Sequence, residues 1–232
     1  MRDARERLIV ALDVSSAAAA HKIVAAVGDS ARLYKVGLQL YTAEGPQIVR
    51  DLVASGRQVF LDLKYHDIPN TVAAAVKEAS KLGVSMLTVH AAGGGKMLRA
   101  AVEAGRNTSA GPMILAVTVL TSLDNRDLEH AGVRGSVVDQ VSRLAGLAMA
   151  NGCHGVVASA HEAGTLRAEL GDDFLIVTPG VRPPGRDHGD QARVVTPAQA
   201  IASGASYIVV GRPITEAADP AGEAREILAQ IA

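Results

Sequence analysis

The chain has 232 residues with 23 basic and 24 acidic side chains, a net charge of -1, and it is 48% hydrophobic and 20% charged. This balance excludes a disordered or fibrous chain, and it excludes a broad nucleic-acid-binding surface, which needs a basic excess. The length suits two small domains or one α/β barrel, since such barrels typically run to about 250 residues. The single Cys153 can form neither an internal disulfide nor a multi-cysteine zinc site, and it reads as a small buried hydrophobe. No apolar run approaches the ~20 residues that span a bilayer, and LIVAL after the charged MRDARER is too short for a signal core. A reduced, soluble, cytoplasmic protein with no nucleic-acid or membrane partner is expected.

In chain order, apolar and β-branched runs predict strands over Leu8–Val14, Arg32–Leu38, Gln58–Lys64, Met86–Ala92, Met113–Leu120, Gly155–Ser159, Phe174–Gly180 and Tyr207–Arg212. Between and after them, longer stretches rich in Ala, Glu, Lys and Arg predict helices. These cover Ser16–Val27, Gly45–Ala54, Pro69–Leu82, Gly95–Arg106, Ser136–Asn151, Glu162–Leu170, Pro197–Ser203 and Ala221–Ile231. Near-continuous apolar strands alternating with helices imply a parallel sheet covered on both faces. Eight such units predict a closed (β/α)8 TIM barrel, one domain over residues 1–232, with an open doubly wound sheet as the alternative. The one long Gly/Pro/polar stretch, Pro183–Gln191, is a candidate lid at the catalytic face.

In a barrel, function collects at the C-terminal ends of the strands. Asp13, Lys35, Asp62, Lys64, His90, Thr121, Ser122, Arg182, Gly211 and Arg212 fall at or near those ends, and Asp67 lies just beyond the third. The densest cluster is LDLKYHDIPNT, where Asp62 and Lys64 leave one face of a strand. Each carboxylate about 4 Å from the ammonium contributes on the order of 4 kcal/mol at an effective dielectric of about 20. Asp62 and Asp67 together then outweigh moderate desolvation and keep Lys64 protonated. A protonated lysine cannot form a Schiff base, but it can donate a proton and stabilise a developing carbanion. An ordinary strand-end ion pair is the plainer alternative, and the second carboxylate weighs against it.

TPGVRPPG supplies Arg182 and VVGRPI supplies Gly211 and Arg212, at the strand-seven and strand-eight loops where barrels commonly hold phosphate. An arginine fork grips phosphate, and glycine admits close backbone approach. Gly93–Gly95 reads as a plain loop, His90 as a hydrogen-bonded barrel histidine, and His66 carries a positional claim without a role. His161-Glu162 lacks the second histidine of a zinc helix, and no metal site is expected.

The segments ALDV, YKVGLQLY, FLDLKYHDIPNTV, AVTVLTS, TPGVRP and VVGRPIT, in this order, resemble the type 1 orotidine 5′-phosphate decarboxylase family nearly end to end. The resemblance implies cofactor-free decarboxylation of orotidine 5′-phosphate to UMP, the last step of de novo UMP synthesis. It also implies a homodimer with active sites at the subunit interface. By the same resemblance Lys64 is the proton donor to pyrimidine C6, and Asp62 lies beside the departing carboxylate. Lys35 completes the charged array and, like Asp13, touches the ribose, while Asp67 and Thr71 come from across the interface. Thr121 and Ser122 meet the pyrimidine, and Arg182, Gln191, Gly211 and Arg212 hold the phosphate. The rival barrel readings are a magnesium-dependent sugar-phosphate lyase, a metal-dependent epimerase and a non-catalytic nucleotide-binding barrel. Lys35, where the lyases place an acidic metal ligand, speaks against the first. The intact Asp-Lys-Asp set speaks against the last.

Overall fold

Each strand candidate is apolar on both faces because the fold covers both. On the first strand Ile9 and Ala11 join one buried cluster while Leu8 and Val10 join another, the period-2 alternation of a strand between two apolar layers. The first cluster, with Leu33, Phe60, Met86, Leu115 and Val177, fills the inside of a barrel, and the second lies between the strands and their helices. Fully burying a side chain such as Phe60 or Leu33 contributes about 1.5–3 kcal/mol.

The computed structural model describes residues 4–108, 111–183 and 195–232. Its strands are β1 (Leu8–Ala11), β2 (Leu33–Gly37), β3 (Gln58–Tyr65), β4 (Met86–His90), β5 (Met113–Val117), β6 (Gly155–Val157), β7 (Leu175–Thr178) and β8 (Tyr207–Val210). Each pairs in parallel with its neighbours in the chain, and β8 returns to β1 through Ile208↔Leu8 and Val210↔Val10. The architecture is the predicted single-domain (β/α)8 barrel, and closure rules out the open sheet. Among the described residues no helix is long and apolar enough to cross a membrane.

The helices start where the side chains can satisfy free amides. Ser16 caps Ala17–Val27 by accepting from Ala19 N–H, Ser136 and Asp139 form a capping box on Val137–Ala150, and Pro69 occupies the first turn of Pro69–Ser80. The pattern missed Leu38–Glu44, a helix that begins directly off β2. Gly45, expected to open a helix, instead ends this one with φ +66°, a backbone that favours glycine. Most strands are also shorter than expected. Asp13, Thr121 and Arg182 lie past the last paired residue of their strands, while Lys35 and Asp62 stay within the ladder.

Gly155 lets β6 and β7 approach, since a Cβ there would run into the carbonyl oxygen and Cβ of Leu175. Gly155→Ala is expected to destabilise the barrel by about 2–3 kcal/mol. The check is a urea melt followed by circular dichroism, and a midpoint equal to wild type would contradict this contact.

Candidate active site

β3 is not a regular strand at its mouth end. Leu61 pairs with Leu87 and Tyr65 with Val89, so Asp62, Leu63 and Lys64 all stand opposite the single residue Thr88. This bulge re-aims the strand end. Lys64 has φ +52°, the one left-handed non-glycine backbone among the described residues. Such a conformation in a lysine is costly and persists only when its surroundings hold it.

The bulge delivers a row of alternating charges. Lys64 Nζ donates to Asp62 Oδ2 at 2.9 Å. Lys35 Nζ lies 3.9 Å from the same oxygen and 2.8 Å from Asp13 Oδ1. Asp62, Lys35 and Lys64 are well covered, with side-chain exposures of 12%, 12% and 30%, so these pairs feel less solvent screening than surface ones. Gly37 makes room for the row: a Cβ there would stand 2.9 Å from Lys35 Nζ and 3.3 Å from Asp13 Oδ1.

All four charged groups line a cavity of about 550 Å³ at the C-terminal mouth of the barrel, together with Thr121, Arg182, Gly211 and Arg212. The top of the barrel core, including Phe60, Val117 and Val209, gives it an apolar floor. Its size is that of a site for one small molecule. The four-charge row is neutral in sum, and Arg182, Arg212 and the rim residue Glu216 are the other charged residues among the described lining of the cavity. Arg212 does not end a strand as expected; it opens the short helix Arg212–Thr215, capped by Gly211.

Asp67 does not join the row. It is exposed in the loop after β3, its Oδ1 accepts from Ile68 N–H, and among the described residues it makes no ion pair with Lys64. Among the described residues Lys64 therefore has one carboxylate partner, Asp62, not the two expected from the spacing. Thr71, on the exposed face of Pro69–Ser80, also lies away from the cavity. Ser122 lines a separate depression with Asp124, Asn125 and Glu162. Gln191, with most of the candidate lid, lies outside the described residues.

Sequence reasoning missed Thr88. Its only signal was a hydroxyl inside the apolar run MLTVH, and the structure buries it completely beside Asp62 and Lys64. His66 and His90 stack at 5.2 Å between ring centroids, beside the mouth and not in the cavity lining. Among the described residues no cluster of three His, Cys, Asp or Glu side chains is arranged to hold a metal ion.

A closed barrel with a charged, apolar-floored cavity at its C-terminal mouth defines a (β/α)8-barrel enzyme. The chain belongs to the orotidine 5′-phosphate decarboxylase / HUMPS family, whose model matches residues 6–227. It is 52% identical to the orotidine 5′-phosphate decarboxylase of Moorella thermoacetica, over 98% of this chain and 93% of that one. It is 54% identical to the orotidine 5′-phosphate decarboxylase of Afipia carboxidovorans, over 98% of this chain and 95% of that one. The crystal structure of orotidine 5′-phosphate decarboxylase from Lactobacillus acidophilus superposes with a TM-score of 0.86 at 39% identity, covering 97% of this chain and 98% of that one. By this membership the chain is a carboxy-lyase.

Burial holds His90 below its ordinary 6.5, and the neighbouring His66 and Lys64 push the same way. His154 is lowered likewise by burial and by Arg106. The unfolded chain therefore binds protons on these rings at a higher pH than the fold does. Their contribution to stability is full above about pH 6.5 and falls as pH drops through that value. The urea midpoint is expected to be lower at about pH 5.5 than at about pH 7.5, and a midpoint unchanged or raised in acid would contradict this.

Proposed function

We propose that this chain decarboxylates orotidine 5′-phosphate to UMP without a cofactor, with Lys64 as the proton donor. The observation that carries the reading is the Lys64 ammonium held on Asp62 in the same cavity that Arg182 and Arg212 line. The two arginines suit the phosphate, and the apolar floor with Thr121 suits the pyrimidine.

Decarboxylation breaks the bond between C6 and the carboxylate carbon. The electron pair stays on C6 and carbon dioxide departs. An ammonium aimed at C6 stabilises that charge and then protonates the carbon, after which Lys64 regains its proton from water. Asp62 holds the ammonium in place and adds repulsion against the substrate carboxylate. Lys35 and Asp13 complete the row and reach the ribose. Lys35 also argues against the magnesium-dependent lyase reading, because its ammonium already occupies the space between two carboxylates that a divalent ion would need.

The same reading gives Asp67 and Thr71 a role in a homodimer. Both sit outside their own chain's cavity, next to Ile68, which is 67% exposed, and Leu38, the first residue of the helix after β2, is 58% exposed. A second copy packed on this face covers those apolar groups and receives Asp67 beside its own Lys64, restoring the second carboxylate.

Lys64→Ala is expected to lower turnover of orotidine 5′-phosphate by at least ~10³-fold while UMP still binds, and near-normal turnover would remove the proton-donor role. Arg212→Ala is expected to weaken UMP binding by roughly ten- to a hundredfold and leave uridine nearly unaffected, and equal losses would remove the phosphate role. Mixing inactive Lys64→Ala with inactive Asp67→Ala protein is expected to recover about a quarter of wild-type activity, since each mixed dimer regains one intact site. No recovery after subunit exchange would place Asp67 outside the neighbour's site.

A further inference from the structure

Thr88 is wholly buried on β4, opposite the three bulged residues of β3. Its hydroxyl makes two hydrogen bonds there. It accepts from Lys64 N–H at 2.9 Å and donates to Asp62 Oδ1 at 3.0 Å. The bulge removes Lys64 N–H from the ladder between the strands, and Thr88 supplies the acceptor that a strand backbone would otherwise provide.

The direction of these bonds carries information. A hydroxyl has one hydrogen, and its oxygen is already accepting from the Lys64 amide, so that hydrogen goes to Asp62 Oδ1. Oδ1 is thus committed to Thr88, and Oδ2 is left facing the ammonium groups of Lys64 and Lys35. One side chain fixes the left-handed backbone of Lys64 and the rotation of the carboxylate that steers its Nζ. Valine has nearly the same shape and can make neither bond.

We propose that Thr88 is a positioning residue, which acts through Asp62 and Lys64 to aim the Lys64 ammonium at the reacting carbon. The proposal rests on the decarboxylase reading above and adds to it a residue that does not line the cavity. Thr88 lies in β4, away from the two arginines, so its loss acts on turnover and spares ligand binding.

The test compares wild type, Thr88→Val and Thr88→Ser for kcat and KM with orotidine 5′-phosphate, for UMP affinity, and for hydrogen exchange of the Lys64 amide. In Thr88→Val, kcat is expected to fall by on the order of ten- to a hundredfold, with KM and UMP affinity within about threefold of wild type and the Lys64 amide exchanging faster. Thr88→Ser keeps the hydroxyl and is expected to recover kcat to within about threefold, with wild-type exchange. Thr88→Val with wild-type kcat overturns the proposal, as does Thr88→Ser no better than Thr88→Val at equal thermal stability. If Thr88→Val does not fold, Thr88→Ala, which adds no atom to the site, replaces it with the same expectations. A wild-type protein that leaves orotidine 5′-phosphate unchanged refutes the decarboxylase reading instead. In that case amide exchange decides for Thr88: faster in the valine variant and restored in the serine one supports positioning, and no difference overturns it.

Discussion

The pairing of Asp62 with Lys64 sets what the rest of the mouth must do. On an unbroken strand the two Cα atoms would lie roughly 7 Å apart, with both side chains rising in parallel from one face. The bulge shortens and turns that segment, and the ammonium comes to 2.9 Å from the carboxylate. Two costs follow, a lysine backbone at φ +52° and an amide outside the ladder. Both are met from β4, by the hydroxyl of Thr88. The barrel closes around this arrangement, and Phe60 two residues below packs the floor on which the charged row rests.

Much of this was legible in the chain, for reasons that differ from place to place. Strand and helix order could be read because a covered parallel strand has to be apolar on both faces, as LIVA and YIVV are. Asp13, Lys35, Asp62, Lys64, Thr121, Arg182, Gly211 and Arg212 could be read as one group because a barrel sends all strand ends to one face, and the cavity gathers all eight. Contacts that depend on register were hidden. Nothing in FLDLKY announces a bulge, so Asp67 was placed beside Lys64 by spacing alone, while the turn after β3 carries it outward. Ser122, expected beside Thr121, lines a separate depression, because the chain leaves the mouth after Thr121. Thr88 was hidden because a threonine inside a strand is unremarkable until its partner strand is known.

The charged row at the mouth is balanced within itself. Asp13, Lys35, Asp62 and Lys64 alternate in sign and cancel at a distance, so they act only over a few ångström. Arg182 and Arg212 line the same cavity outside that row.

Lys35 shows how much turns on one position. Asp13 and Asp62 sit on either side of it, at 2.8 and 3.9 Å from its ammonium. Two carboxylates converging at a barrel mouth are a natural beginning for a divalent cation site, and an acidic residue on β2 would complete one. Here the chain provides its own cation on a tether. Gly37 leaves the space it needs, since any side chain there would press on Lys35 Nζ and Asp13 together. A metal would have to displace that ammonium from both partners before it could bind. The two residues behind this arrangement, Lys35 and Gly37, lie in the single short run YKVG.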